Sequence, residues 1–251
     1  MIGRMISVFG ITDKGIVRTQ NQDAYCYGPV EEQKVWGVVC DGMGGAKAGD
    51  IASKIAVEVF EDHMRRWSGS GQTGEHPGLL RSAIEEGNRA IFLSATNNKE
   101  YTGMGTTLVG AVLDGENACV ANVGDSRAYH ISQDGIGRIT RDHSVVEALV
   151  AHGDLTPEQA RVHPQKNLIT RAMGTGKAVE PDIFEVSLHP GDWLLLCSDG
   201  LINELVDEEI LRLVREAENP EAACQSLLDL ALRREASDNV TILLFYLETK
   251  A

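Results

Sequence analysis

Two rhythms of apolar residues run along this chain. The first is short and dense. Residues 5–12 (MISVFGIT), 34–40 (KVWGVVC), 106–113 (TTLVGAVL), 117–124 (NACVANVG), 127–131 (RAYHI), 137–140 (GRIT), 182–188 (DIFEVSL), 192–198 (DWLLLCS) and 239–247 (NVTILLFYL) are mostly apolar and end at turn formers. Many of these residues are β-branched, so the runs predict strands. The links within 106–140 are short and turn-like, which predicts antiparallel hairpins. The last run is apolar at nearly every position and predicts a strand buried on both faces.

The second rhythm has helical spacing. Across 49–67, Ile51, Ile55, Val59 or Phe60, His63 and Trp67 recur on one face with polar residues opposite. Leu80, Ile84 and Ala90 or Ile91 repeat the pattern up to about Leu93. Residues 207–217 open on an Asp with Glu nearby, and 220–234 carry Pro220 in the first turn, both favourable helix starts. Residues 68–78 (SGSGQTGEHPG) predict a flexible surface loop. Residues 142–178 are polar and helix-prone, and predict a mostly helical flap over the sheet rather than a second domain. There is no repeat, low-complexity tract or domain linker, so a single domain over 1–251 is expected, with paired helices covering the outer faces of a largely antiparallel sheet system.

Composition narrows the partners. The 251 residues hold 23 Lys and Arg against 37 Asp and Glu, a net charge of −14. That balance argues against nucleic acid and anionic membrane, which need a cationic face. No apolar run reaches the roughly 18–20 residues of a membrane helix, and the N-terminal stretch lacks a signal core, so a cytoplasmic protein is expected. The five cysteines are odd in number and contain no CxxC, which predicts reduced packing residues rather than a disulfide framework or a zinc knuckle. His63 has no second His or Cys at i+4 and reads as a partly buried helix residue.

Acidic residues gather where strands end. Asp41 follows WGVVC, Asp125 follows VANVG, Asp199 follows WLLLCS, Asp238 precedes NVTILLFYL, and Asp23 follows a short polar loop. Any one alone reads as a turn former or a helix cap. If they converge, their mutual repulsion calls for counter-cations, and oxygen donors suit hard ions such as Mg²⁺ or Mn²⁺. Arg18, five residues before Asp23, offers a bidentate fork for a phosphate.

The ordered set RTQNQDA, VVCDGMGGAKAG, MGTTL, ANVGDSRAY, LITRAMG, LLLCSDGL and SDNVTILL resembles the metal-dependent protein phosphatase family, the type 2C serine/threonine phosphatases, in its smaller bacterial form. The resemblance runs from about residue 5 to 248. It implies a four-layer α-β-β-α sandwich, with two antiparallel sheets flanked by helix pairs and a binuclear centre at one end. By motif, Asp41 would bridge two ions of Mn²⁺ or Mg²⁺, the Gly42 carbonyl would join the second, and Asp199 and Asp238 would hold the first. Asp23 would reach the second through water. Asp125 with Asp199 would hold a third, weaker ion, and Arg18 would grip the substrate phosphate. The implied reaction is direct in-line hydrolysis of phosphoserine and phosphothreonine in proteins, the products of a serine/threonine kinase, by a monomer; the alternative is an inactive, phosphatase-like regulatory or binding module. Two positions depart from other members: Met43 stands where some carry a histidine, and Gln22 where others carry Glu. The pattern HCx5R of cysteine phosphatases is absent, and neither GAKAG nor MGTGKA fits a phosphate-binding P-loop.

Overall fold

The computed structural model describes residues 5–31, 34–68 and 76–248. Its strands are β1 (Ile6–Asp13), β2 (Asp23–Glu31), β3 (Lys34–Met43), β4 (Gly105–Thr106), β5 (Leu108–Asp114), β6 (Asn117–Val123), β7 (Arg127–Ile131), β8 (Ile136–Arg138), β9 (Asp182–Ser187), β10 (Trp193–Cys197) and β11 (Val240–Leu247). Its helices are α1 (Gly45–Ser68), α2 (His76–Asn97), α3 (Val145–His152), α4 (Pro157–Arg161), α5 (Asp199–Glu204), α6 (Asp207–Glu216) and α7 (Pro220–Arg233). One sheet has the order β1-β11-β10-β7-β8; the other has the order β2-β3-β5-β6-β9, with β4 paired to β3. Every strand pairing in both is antiparallel.

Three buried apolar layers explain the stacking. Successive residues of a strand point to opposite faces. In β11, Ile242 and Leu244 pack with α5, α6 and α7, while Leu243, Phe245 and Leu247 face the other sheet. In β3, Trp36, Val38 and Cys40 pack with α1 and α2, while Val35 and Val39 face the first sheet. The middle layer therefore lies between the sheets and the outer two lie under the helices, which is the four-layer α-β-β-α sandwich. The helix starts follow local chemistry: Asn219 accepts the Ala222 N–H ahead of Pro220, and α6 opens on Asp207, Glu208 and Glu209, where acidic side chains suit the N-terminal dipole. All five cysteines are free thiols, four of them buried. Among the described residues no helix is long and apolar enough to cross a membrane.

Several boundaries differ from the sequence pattern. β2 is an additional strand, paired edge-on to β3 despite Gly28 and Pro29. An edge strand tolerates proline, and Gly28 leaves room for the Trp36 ring. β3 continues through Asp41 and Gly42 to Met43, so these residues are extended strand and not a turn. Gly44, at φ 125°, makes the turn, and α1 begins at Gly45 rather than at 49. α5 is a further short helix. Of the loop expected at 68–78, residues 69–75 lie outside the described residues, while 76–78 already belong to α2. The excursion at 142–178 is helical only in α3 and α4. Gly153, in the left-handed region at φ 83°, ends the first of these, and the segment after Arg161 is held by single bridges, Ser144 to Ile169 and Thr106 to Met173.

Candidate active site

Asp41 and Asp23 face each other across the β2–β3 pairing, on the face turned toward the first sheet. The Asp41 backbone is gripped from three sides. Its N–H donates to Thr107 Oγ1 at 3.0 Å, and its carbonyl accepts from the Thr107 N–H at 2.8 Å and from Thr106 Oγ1 at 2.8 Å. Thr107 Oγ1 also meets Ser126 Oγ at 2.7 Å, which ties Asp41 to the β6–β7 turn that carries Asp125. The motif MGTTL thus builds a rigid seat for the carboxylate.

The first sheet supplies the other acids from the same end. Asp199 opens α5, directly after β10, and its Oδ2 accepts from Asn203 Nδ2 at 3.0 Å. Asp238 sits before β11, and its Oδ2 accepts from Arg18 Nη2 at 2.7 Å. Asp41, Gly42, Asp125, Asp199, Asp238 and Arg18 all line one cavity of about 470 Å³. Met43 lines it too, and a thioether has no proton to give. Asp23 is set deeper, 7% exposed, and Gln22 takes its place in the wall. Asp23 Oδ2 accepts from Ser198 Oγ at 2.8 Å and Thr241 Oγ1 at 2.6 Å, so this carboxylate fastens β2 of one sheet to β10 and β11 of the other.

The cluster is electrostatically loaded. Burial, reinforced by Asp23, Asp199, Asp125 and Asp238, raises the Asp41 carboxyl well above its ordinary value. Burial with Asp199 and Asp142 does the same to Asp125. Burial pushes Asp23 to about 7 and, with Asp238 adding to it, Asp199 to about 6. Arg18, held by Asp238, is raised, so it stays charged. Two carboxylate oxygens, Asp23 Oδ1 and Asp199 Oδ1, are buried without a hydrogen-bond partner. Orphaned anionic oxygens among repelling carboxylates are what a hard divalent cation would satisfy, and the all-oxygen donor set suits Mg²⁺ or Mn²⁺. Among the described residues no three His, Cys, Asp or Glu side chains form a closed ligand cluster; the acids surround the cavity instead.

A pH dependence follows for protein held in chelator. The carboxyl groups of Asp23 and Asp199 have an ordinary value of 3.8 and rise to about 7 and about 6 on folding. Their contribution to stability is whole below the unfolded value and is lost as pH climbs through the folded values. Urea midpoints in EDTA are expected to fall between pH 5 and 7.5. A midpoint flat across that range would contradict the electrostatic reading.

Three residues with clear positioning roles were not singled out from the sequence, although Thr107 and Asn239 lie within the motifs MGTTL and SDNVTILL. Asn239 accepts the Gln22 N–H at 2.7 Å and donates to the Lys14 and Gln20 carbonyls at 2.9 and 3.0 Å, shaping the loop that bears Arg18. Thr107 and Asn203 orient Asp41 and Asp199 as described above. Each is an ordinary polar residue whose partners are set by the fold.

Known proteins share this arrangement of sheets. The protein phosphatase 2C family model matches residues 16–234. The serine/threonine phosphatase stp of Listeria innocua is 36% identical over 233 residues, covering 93% of this chain and 92% of its own. The crystal structure of serine/threonine phosphatase Stp1 from Staphylococcus aureus superposes with a TM-score of 0.91 at 40% identity, covering 98% of this chain and 97% of that one. The catalytic domain of serine threonine protein phosphatase PstP in complex with two manganese ions gives a TM-score of 0.85 at 32% identity, covering 97% and 99%. With the model matched across most of its length and relatives this similar end to end, the chain belongs to the protein phosphatase 2C family.

Proposed function

We propose that this chain is a metal-dependent serine/threonine protein phosphatase. The observation that carries the reading is the single cavity ringed by Asp41, Asp125, Asp199 and Asp238, with Arg18 at its rim. The names of its relatives as serine/threonine phosphatases support the substrate class.

Asp41 would serve two ions of Mn²⁺ or Mg²⁺, with the Gly42 carbonyl on the second, and Asp199 and Asp238 on the first. Asp23 would act on the second through water, and Asp125 with Asp199 would hold a third, weaker ion. The PstP catalytic domain in complex with two manganese ions supports a pair of ions here. The chemistry that such a pair of ions supplies is Lewis acidity toward a water and a phosphate.

The chain's own residues do the positioning. The Asp41 backbone is fixed by Thr106 and Thr107 before any substrate arrives, which limits the reorganisation needed there. Arg18 uses one N–H on Asp238, leaving the rest of its fork for phosphate oxygens. In the net reaction the phosphorus–oxygen bond to serine or threonine Oγ breaks and a bond to water oxygen forms. No side chain is needed as a nucleophile, and Met43 delivers no proton to the leaving oxygen. We also infer a single catalytic domain whose 142–178 segment is a substrate-facing flap, acting in the cytoplasm as a monomer on products of a serine/threonine kinase.

The test compares phosphate release from phosphoserine, phosphothreonine and phosphotyrosine peptides of one sequence, with Mn²⁺ present. Turnover of the first two well above the third is expected. A preference for phosphotyrosine would overturn the substrate class.

A further inference from the structure

Exposed apolar side chains gather at the mouth of the cavity. Among the described residues eight large apolar side chains are exposed, and five of them belong to this end. Ile16 and Val17 immediately precede Arg18 and are 58% and 66% exposed. Leu168, 51% exposed, stands between Asn167 and Ile169, which line the cavity with Arg18. Val206 lines a second cavity that shares Asp125, Asn167 and Asp199 with the first, and Val162 follows Arg161 in its wall. Apolar side chains scattered singly over a surface need no explanation, but a group of them around a polar site marks a contact surface.

Two of these places are lips on a fixed backbone. The Ile16 N–H donates to the Ala236 carbonyl at 2.9 Å, and Asn239 holds the Lys14 and Gln20 carbonyls on either side. Gly15, at φ 74°, is pressed so close to Asp238 that a Cβ would lie 2.2 Å from its carbonyl oxygen. This lip borders the cavity beside Asp238. The Leu168 N–H donates to the Gln165 carbonyl at 3.1 Å, and its carbonyl accepts the Val145 N–H at 2.9 Å. Thr170 then donates to the His143 carbonyl at 2.7 Å, and His143 to the Gly124 carbonyl at 2.8 Å, so the second lip borders the cavity beside Asp125. A partner that covers these side chains gains their burial without first ordering the loops that carry them.

We propose that the two lips, Ile16 with Val17 and Leu168, bind large apolar side chains that flank the phosphorylated residue of a protein substrate. The inference rests on the phosphatase reading. A phosphate gripped by Arg18 draws the neighbouring residues of its own chain across the mouth, so the occupant is the substrate segment, continuous with the site. Acidic flanks are disfavoured, because the wall is rich in carboxylates and the chain carries a net charge of −14.

The experiment measures kcat and KM in Mn²⁺ on phosphothreonine peptides of one length, with the two residues on each side of the phosphothreonine set to Leu, Ser, Lys or Asp. The native chain is expected to favour the Leu-flanked over the Ser-flanked peptide about tenfold in kcat/KM, mostly through KM, with the Asp-flanked peptide slowest. Ile16→Thr, Val17→Thr and Leu168→Thr combined should bring Leu and Ser flanks within about twofold of each other. All three positions are exposed, so the variant should fold. Its turnover of a small aryl phosphate, too short to reach either lip, should match native. Leu168→Thr alone should erase the preference on one side of the phosphothreonine and keep it on the other. Equal kcat/KM on Leu and Ser flanks in the native chain, a Lys-flanked peptide preferred to the Leu-flanked one, or a preference that survives in the triple variant would overturn this inference alone. Release of phosphate from none of the peptides by the native chain would overturn the phosphatase reading with it.

Discussion

Asp41→Asn is expected to lower phosphopeptide hydrolysis about a thousandfold while raising the melting temperature of the protein in chelator. The two effects have one cause. Asp41 is enclosed with Asp23, Asp125, Asp199 and Asp238, and burial with their charges raises its carboxyl well above the ordinary value. Burying this carboxyl therefore costs free energy at neutral pH, whether it keeps its charge or takes up a proton, and an amide of the same shape avoids that cost. The amide cannot serve two cations, and metal assistance to phosphoryl transfer is worth several kcal/mol, each 1.36 kcal/mol being tenfold in rate. Circular-dichroism melting in EDTA and initial rates in Mn²⁺ check the pair. A variant both slower and less stable in chelator would mean that Asp41 is chiefly structural.

Gly42→Ala is expected to destabilise the protein by about 3 kcal/mol, the upper end of the usual overpacking range, and to weaken Mn²⁺ binding as well. A Cβ at Gly42 would lie 2.1 Å from the Gly49 carbonyl oxygen and 2.6 Å from that of Gln22. Both obstacles are backbone, so β3, α1 or the Arg18 loop must move. Gly42 is strand, with no left-handed φ, so the glycine serves close approach rather than bending. Displacing it also displaces the carbonyl assigned to the second ion. Gly78→Ala is the control: in the first turn of α2 a Cβ meets nothing within 4 Å, and the change should stabilise by about 0.5–1 kcal/mol. Urea unfolding of both variants measures the contrast, and equal effects would refute the packing argument.

The strands buried on both faces were the most legible part of the chain. β10 and β11 are apolar at nearly every position because each touches an apolar layer on both sides. β2 was hidden, since Gly28 and Pro29 resemble a turn until edge pairing and the Trp36 ring account for them. α5 is six residues long, too short for helical periodicity to register. The aspartates of the cavity wall were readable because each sits at or near a strand end, and both sheets deliver those ends to one place; Arg18 was readable as a guanidinium fork five residues before Asp23. The inward setting of Asp23 was not readable, because it depends on the register of β2 with β3 and on hydroxyls more than 170 residues away. Asn203 and Asn239 were silent for the same reason. A helix turn and a strand start are ordinary places for Asn, and only the fold brings Lys166 and the Arg18 loop against them.

The central claim is that this cavity hydrolyses phosphoserine and phosphothreonine only with divalent cations among its aspartates. The most direct measurement is the initial rate of phosphate release from a phosphothreonine peptide by chelator-treated protein, as Mn²⁺ is added back. The account predicts negligible release in chelator and a saturable recovery that is absent in Asp41→Asn. Full activity in chelator, or equal recovery in that variant, would contradict it.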